Sequence, residues 1–414
     1  MINSSNKLKI FVSAYACEPN HGSEIGVGWN WVIEMSKYFE LWVLTRKSNK
    51  ENIENWLKHN SEFNTINFMY YDLPKSLRFW KKGLRGVRTY YIIWQRLTNR
   101  IVKNTMLQND IKIYHLLTYG NASYPCSTFG QKQFFIWGPT SAGDFIPKDY
   151  SRHYTLKGRF LEILRRLSSK VLLYNNGFQS RCKNADLILC KTKVTYDSIP
   201  ERARENAVLF TDVAVNISEV NQYQKQEKEV NKIKYLAVGS LVGWRGFDIL
   251  IEAFSLAVKS NKNISLNILG SGRDIIRLQS LITKLKMNSF IKLQGQVTIQ
   301  RYYQEMANCD VAVNPCLKEG AVTFSFDSMS FAKPLVCIDS GGHTRYFTNE
   351  YSFVIPRKSR KEVIEELSKS FIHLFDKDKR QKYGLKSKEF GLKYDWNQKG
   401  EDIYNLINSK YDGS

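Results

Sequence analysis

The chain has 414 residues, which is long for one hydrophobic core and sufficient for two domains. Its hydrophobic fraction of 43% is ordinary for a globular protein, and no apolar run reaches the roughly 18 residues that a membrane-spanning helix needs. The formal net charge of +22 indicates an anionic partner, and composition leaves open whether that partner is nucleic acid, an anionic membrane surface or a phosphorylated substrate.

The N-terminal residues and the cysteines indicate the compartment. The chain enters a strand pattern almost at once, without the apolar stretch and small-residue cleavage site of a signal peptide. Seven cysteines, an odd number with no C-x-x-C pair, are expected to be free and buried. We therefore predict a cytoplasmic protein without disulfides and without a metal site.

Short apolar runs rich in Val, Ile, Tyr and Phe alternate with longer segments of helical period. This alternation predicts βαβ units around parallel sheets. The predicted strands are Leu8–Tyr15, Leu41–Thr45, Ile66–Tyr71, Ile111–Leu117, Phe134–Trp137 and Ala185–Cys190 in the first half, and Tyr235–Leu241, Ser265–Leu269, Phe290–Gln294, Asp310–Pro315 and Pro334–Asp339 in the second.

A polar and charged stretch at residues 217–232 interrupts this rhythm and predicts a linker between two domains. We expect an N-terminal α/β domain over 1–216, a C-terminal α/β domain over 233–390, and a last helix within 391–414 that packs back on the first domain. The predicted fold is thus two α/β domains, each with a parallel sheet.

The turn after the first predicted strand contains Gly22, Ser23 and Glu24. Ligands of open parallel sheets bind at the carboxyl ends of the strands, and a glycine turn before a helix exposes backbone N–H groups to an anion. A plain turn at Gly22 and a helix cap at Ser23 explain the same residues, so the turn alone leaves both interpretations open.

Residues 74–103 form a basic tract with interleaved aromatic side chains. The tract has nine Lys or Arg and no Asp or Glu. Such a tract is typical of a segment that binds the interface of an anionic membrane. Alternatively, it is a solvated helix whose aromatic side chains enter the core. Its basic residues are Lys75, Arg78, Lys81, Lys82, Arg85, Arg88, Arg96, Arg100 and Lys103, and its aromatic residues are Phe79, Trp80, Tyr90, Tyr91 and Trp94.

Two glycine-rich loops follow strands of the second half. The first begins at Gly239 and Ser240 and ends with Arg245 just before a predicted helix. A guanidinium at that point is either a bidentate phosphate ligand or a solvated loop charge. The second loop contains Gly270 and Gly272, a turn suited to close approach by a ribose or a base.

A third segment after a predicted strand places an acid on a loop and a second acid eight positions later. These are Glu319 and Asp327, and the small Gly320 and Ala321 precede Val322 at the start of a helix. Amides of small residues at a helix start suit an anion, while the two acids suit hydroxyl groups of a sugar and a ribose. Alternatively, Glu319 is a charge at a helix start and Asp327 a solvated helix residue.

Taken in order, four segments resemble the retaining glycosyltransferases of family 4. They are ACEPNHGSEIGVGWNW, GSLVGWRGFDILIEAF, ILGSGRD and EGAVTFSFDSMSFAKPLVCIDSGG, and the tracts HLLTYGNASYP and FIWGPTSAG resemble acceptor-side loops of the same group. This resemblance implies the GT-B fold, an α/β fold of two Rossmann-like domains whose parallel sheets face a central cleft. The resemblance covers most of the chain. It implies transfer of a sugar from a nucleoside-diphosphate sugar to a glycan acceptor, with retention of configuration.

The resemblance also implies residue roles. Glu319 resembles the first acid of the family's E-x7-E motif, which contacts the donor sugar, and Asp327 stands where the second Glu holds the ribose. Arg245 stands where a Lys contacts the donor diphosphate, and Ser240 stands where an Arg is usual. His115 resembles a histidine at the cleft. A lone histidine is often structural, but its expected place at the carboxyl end of a strand favours a role at the site.

The implied catalytic residues are therefore Glu319, His115 and Arg245, with Glu24, Tyr119 and Gly143 on the acceptor side. No cofactor or metal is expected besides the nucleotide-sugar substrate. The implied donor-binding residues are Gly22, Ser23, Gly239, Ser240, Arg245, Gly270, Gly272, Glu319, Gly320, Ala321, Val322 and Asp327.

Together, these features favour an enzyme that extends a lipid-linked glycan at the inner membrane face, in the synthesis of capsule, lipopolysaccharide or a similar surface polysaccharide. A nucleotide-sugar epimerase on the same fold would need no acceptor and no membrane tract. A non-catalytic protein that binds nucleic acid would account for the charge, but no nucleic-acid-binding motif occurs. We therefore expect no nucleic-acid partner.

Overall fold

The computed structural model describes residues 7–81, 86–124, 133–143, 146, 148–173, 175–217, 220–223, 232–318, 322–342 and 345–412. The chain forms two compact α/β units. Unit 1 comprises Met1–Gly143, Lys170–Asp212 and Trp396–Ser414, and unit 2 comprises Asp144–Ser169 and Val213–Asp395.

Strands and helices alternate along both units. The strands are β1 Lys9–Ala14, β2 Glu40–Arg46, β3 Asn67–Tyr71, β4 Ile113–Thr118, β5 Phe134–Thr140, β6 Leu187–Cys190, β7 Ala207–Leu209, β8 Ile233–Val238, β9 Ile264–Leu269, β10 Ile291–Gly295, β11 Val311–Asn314, β12 Leu335–Ile338 and β13 Ser352–Ile355. The helices are α1 Ser23–Ser36, α2 Lys50–Lys58, α3 Val87–Gln108, α4 Lys148–Ser151, α5 Leu156–Leu173, α6 Asn176–Asn184, α7 Lys193–Ser198, α8 Phe247–Ser260, α9 Ile275–Lys284, α10 Ile299–Asn308, α11 Thr323–Ser330, α12 Arg360–His373, α13 Lys377–Gly391 and α14 Trp396–Tyr411.

Each unit has one parallel sheet. The order of unit 1 is β3-β2-β1-β4-β5-β6-β7, and that of unit 2 is β10-β9-β8-β11-β12-β13. The central strands β1, β4, β8 and β11 are almost wholly buried, as expected for parallel strands covered by helices on both faces. The predicted α/β class with two parallel sheets is confirmed, and every predicted strand is present. The short strands β7 and β13 were not predicted.

The core of unit 2 includes side chains from a segment far away in the sequence. Ile146, Tyr150 and Tyr154 pack in the same cluster as the side chains of β8 and α8. The Tyr150 hydroxyl donates to the carbonyl of Lys358 over 2.6 Å. Residues 144–169 therefore group with unit 2, whereas the predicted boundary at residue 216 assigned them to the first domain.

The C-terminal helix α14 belongs to unit 1. Its Tyr404 ring stacks on Tyr38 with centroids 5.0 Å apart, and Lys399 donates to the carbonyl of Thr211 over 2.8 Å. A Cβ at Gly400 would lie 3.2 Å from the Tyr38 ring, so a glycine allows α14 to approach α1 closely.

The basic tract at 74–103 divides into two parts with different surroundings. Tyr90, Tyr91 and Trp94 on α3 are buried in the core of unit 1, and the Trp94 indole donates to the carbonyl of Tyr71 over 2.9 Å. These three aromatic residues were candidates for a membrane interface, and their burial corrects that expectation. Phe79 is exposed, while Lys82 and Arg85 lie outside the described residues.

Candidate functional site

The strand order of unit 2 identifies where a ligand of this sheet would bind. From β8 the chain runs outward through β9 and β10, and it returns to the other side of β8 with β11. This reversal creates a topological switch point between β8 and β11. In open α/β sheets, ligands bind outside the carboxyl ends of the strands at such a point.

The loops after β8 and β9 are joined by main-chain hydrogen bonds. The amide of Leu241 donates to the carbonyl of Ser271 over 2.9 Å, and the Leu241 carbonyl accepts from Asp274 over 3.0 Å. A Cβ at Gly270 would lie 2.0 Å from the Gly239 carbonyl oxygen, and one at Gly272 would lie 2.3 Å from that of Leu241. Both positions therefore require glycine, which is the physical reason for this glycine-rich pattern.

Arg245 lies at the switch point of unit 2. It ends a short 3-10 turn, Gly243–Arg245, directly before α8. Its guanidinium carbon lies 4.6 Å from the centroid of the neighbouring Trp244 ring, a contact that restrains the side chain. The N-terminal amides of α8 add partial positive charge beside it. Ser240, on the same loop, is exposed.

The loop after β11 contacts the loop after β8. The amide of Leu317 donates to the carbonyl of Trp244 over 3.0 Å. Gly246 adopts a left-handed conformation with φ of +69°, and a Cβ there would lie 2.1 Å from the carbonyl oxygen of Pro315. The predicted donor loops after β8, β9 and β11 thus meet at one edge of the sheet.

The structure describes only the second part of the predicted acidic segment, from Val322 onward. Glu319, Gly320 and Ala321 lie outside the described residues, and Val322 immediately precedes α11. Asp327 on α11 is only 3% exposed, and its Oδ2 accepts a hydrogen bond from the Tyr302 hydroxyl over 2.5 Å. Burial and the Asp327 carboxylate raise the pKa of Tyr302 well above its usual value, so the phenol remains a donor. Contact of Asp327 with a ribose stays a prediction.

Unit 1 has its own switch point, between β1 and β4. The turn after β1 leads through Gly22 into α1, which begins at Ser23. A Cβ at Gly26 would lie 1.9 Å from the His21 carbonyl oxygen, and one at Gly28 would lie 2.0 Å from that of Ala16. The glycines of this segment therefore allow α1 to lie against the turn, and Gly22 and Ser23 lie at the expected edge.

A charged cluster lies at the carboxyl ends of the strands of unit 1. The Glu24 Oε1 accepts from the amide of Gly120 over 3.0 Å, and the ammonium of Lys191 lies 2.5 Å from the Asp212 carboxylate. Burial raises the pKa of Glu24, and the nearby Lys191 opposes that shift. Sequence reasoning missed Lys191 and Asp212, although Lys191 directly follows a buried strand.

The other acceptor-side candidates lie at the same edge of unit 1. Tyr119 follows β4, and burial raises its pKa to about 12, which makes it a neutral phenol at ordinary pH. Gly143 follows β5 with φ of +76°, and a Cβ there would lie 2.5 Å from the Ser198 hydroxyl. The amide of Ser141 donates to the carbonyl of Gly120 over 2.7 Å, which joins the loops after β4 and β5.

His115 does not lie where the sequence indicated. It is in the middle of β4, fully buried, with Nε2 2.7 Å from the carbonyl oxygen of Gly138 and its ring 5.9 Å from Trp31. Burial lowers the pKa of His115 to about 4. Because this neutral imidazole packs in the core, the predicted position at a strand end is wrong, and the structure favours the structural interpretation.

The described residues contain neither a candidate metal cluster nor a candidate membrane-spanning helix. No group of three His, Cys, Asp or Glu side chains in that part of the chain could hold a metal ion. No helix among the described residues is long and apolar enough to cross a membrane. Among the described residues, the buried cysteines carry thiols that form no disulfide: Cys17, Cys182, Cys190, Cys309, Cys316 and Cys337.

Residues 219–389, most of unit 2, match the model of the family described as glycosyl transferases group 1. An uncharacterized glycosyltransferase of Methanocaldococcus jannaschii is 24% identical over 225 residues, which cover 52% of this chain and 56% of that protein. The chain spans about half the length of the first curated relatives that it matches. The group 1 domain supports the predicted class, a transferase enzyme.

Solved structures resemble nearly the whole chain. Anabaena HepE in complex with UDP has a TM-score of 0.62 at 14% identity, covering 97% of this chain and 100% of that chain. WaaG, a glycosyltransferase involved in lipopolysaccharide biosynthesis, has a TM-score of 0.60 at 14% identity, covering 96% of this chain and 99% of that chain. These likenesses show that the chain has the GT-B fold.

Proposed function

We propose that this chain transfers a sugar from a nucleoside-diphosphate sugar to a glycan acceptor. The main supporting observation is the meeting of three loops at the switch point of unit 2, with Arg245 beside the start of α8. This arrangement concentrates a guanidinium and helix N-terminal amides where a diphosphate would bind.

The donor diphosphate is the group that this site stabilises during the reaction. Negative charge builds on the diphosphate as the bond to the sugar breaks, and preorganised positive groups lower the energy of that state. Ser240 supplies no charge, so Arg245 carries more of this role than it would beside a second arginine. The UDP bound to HepE supports a uridine nucleotide as the first donor to test.

We assign contacts with the donor sugar and with the acceptor to other residues. By resemblance, Glu319 contacts the donor sugar and Asp327 the ribose, and transfer proceeds with retention and without a metal. On the acceptor side, the cluster of Glu24 and Lys191 lies at the strand ends of unit 1, beside Tyr119. A buried carboxylate with a raised pKa suits hydrogen bonding to an acceptor hydroxyl.

The acceptor in this proposal is a lipid-linked glycan at the cytoplasmic face of a membrane, in the synthesis of a surface polysaccharide. The net charge of +22 and the exposed basic residues of α3, Arg96, Arg100 and Lys103, support an anionic membrane as a partner. The fold likeness to WaaG supports the same class of pathway.

Calorimetry with UDP, GDP and their sugar conjugates tests the donor site directly. We expect one nucleoside diphosphate to bind at micromolar concentration, and we expect EDTA to leave that binding unchanged. Product analysis by NMR with that donor then reports the anomeric configuration. Failure of every nucleotide to bind would overturn the proposal, and an inverted product would overturn retention.

A further inference from the structure

Helix α5 exposes an apolar face instead of burying it. Its outer apolar face consists of side chains that are between 45% and 81% exposed: Leu156, Phe160, Ile163, Leu164 and Leu167. At about 100° per residue these positions fall within an arc of roughly 100°. The face therefore forms one stripe about 16 Å long.

The polar side of α5 is the side that packs inward. Glu162 is buried and lies 3.3 Å from the guanidinium of Arg165. Arg166 donates to the carbonyl of Ile146. Arg159 lies at the edge between the two sides: its Nε donates to the carbonyl of Tyr154 over 3.2 Å, and the side chain remains exposed. A helix on the surface of a globular protein normally has the opposite orientation, with its apolar stripe toward the core.

The charges beside this stripe favour one kind of partner. Lys157 and Arg159 are exposed and flank the outer apolar face on its two sides. Glu162 is the only acid in the sequence of α5, and it is buried. Face-to-face packing of two copies would bring these cations together, whereas anionic lipid headgroups would neutralise them.

We propose that α5 lies in the plane of an anionic membrane surface and inserts its outer apolar face between the lipids. An in-plane helix of this kind needs an apolar stripe, flanking Lys or Arg and no spanning length, and α5 has these properties. Lys157 and Arg159 extend to the headgroups while their apolar stems cover the edges of the stripe. This inference refines the membrane partner proposed above, but it does not depend on the transfer reaction.

Cosedimentation with lipid vesicles tests the proposal. We compare the wild type with the double variant Phe160→Ser/Leu167→Ser, using vesicles of phosphatidylcholine with about one quarter phosphatidylglycerol. The control variant, Ile276→Ser/Leu385→Ser, removes two apolar side chains that are 78% and 66% exposed on α9 and α13. Only the α5 variant should bind these vesicles about tenfold more weakly or worse.

Three outcomes would overturn the proposal: no vesicle binding by the wild type, equal losses in both variants, or equal binding to vesicles of phosphatidylcholine alone. Sedimentation velocity without lipid tests a second copy as the occupant. Self-association that the α5 variant abolishes, without vesicle binding, would overturn the membrane assignment. Thermal melting and UDP calorimetry on the same variants separate this result from misfolding and from failure of the donor site.

Discussion

Arg245 offers the sharpest test of the donor site. Replacing it by alanine removes the guanidinium that lies against Trp244 and beside the start of α8. The side chain is partly exposed, and its truncation leaves the main-chain bonds of the loop in place. The variant should therefore fold like the wild type, and the change should appear in ligand binding.

The magnitude follows from the lost contact. A hydrogen bond to a charged group contributes about 1.5–3 kcal/mol, which corresponds to about a tenfold to a hundredfold loss of affinity for a nucleoside diphosphate. Arg245→Lys keeps the positive charge but loses the planar fork and the ring contact. We expect it to lose affinity by a smaller factor, about threefold, since an exposed cation–π contact contributes about 0.5–1 kcal/mol.

The assay is calorimetry with UDP and with uridine, which lacks the phosphates. Arg245→Ala should weaken binding of UDP and leave binding of uridine unchanged. Lys112→Ala is the control, because it removes a positive charge from a side chain that is 59% exposed and lies directly before β4 in unit 1. Unchanged UDP affinity, or equal losses for UDP and uridine, would refute the assignment of Arg245 to the diphosphate.

Three further predictions concern other residues. Glu24→Gln should raise the thermal midpoint of unfolding more at about pH 8 than near pH 4.5. The pKa of Glu24 is raised in the folded wild type, so the wild type loses stability as pH rises and this carboxylate becomes charged. If the variant melts no higher than the wild type at high pH, Glu24 is not a buried charge. His115 is protonated below about pH 6.5 in the unfolded chain but only below about pH 4 in the folded chain, so the wild type should lose up to about 3 kcal/mol of stability between these pH values. Urea melts should show this loss in the wild type but not in His115→Gln, which should still bind UDP. Equal acid sensitivity in the variant would contradict the prediction. Gly246→Ala should lower both the melting temperature and the affinity for UDP, because its Cβ would overlap Pro315. Gly295 has φ of +74° but nothing within 4 Å of a Cβ, so Gly295→Ala should cost only the backbone strain of about 1–2 kcal/mol. Equal effects of the two variants would refute the clash with Pro315.

The strands could be predicted because buried parallel strands are runs of apolar residues between turns. β7 has only three residues, and β13 begins with Ser352 and so offers only three apolar residues, which left both segments without a distinct apolar run. The preceding Asn206 and Asn349 give no strand signal. Each segment is a strand because it pairs with its neighbour in the sheet, β7 with β6 and β13 with β12. Tertiary contacts of this kind are absent from any local pattern.

The site could be predicted at the level of loops more than of side chains. Glycine spacing indicated that the loops after β8 and β9 lie close together, because a Cβ at Gly270 or Gly272 would overlap a carbonyl oxygen, and donor binding at these loops stays a prediction. His115 was misplaced because its position within β4, opposite Val12 on β1, is decided by strand register. The side of α3 that enters the core likewise depends on packing, which the mixed basic and aromatic pattern left open.

The division of the chain into units has a consequence for its biosynthesis. Unit 1 takes residues from the start, the middle and the end of the sequence, and unit 2 needs residues 144–169 as well as 213–395. A ribosome-bound chain that stops before α14 therefore lacks the Tyr404 and Lys399 contacts of unit 1. The packing of unit 1 is therefore complete only after α14 has emerged. A chimera that exchanges unit 2 must transplant residues 144–169 together with 213–395.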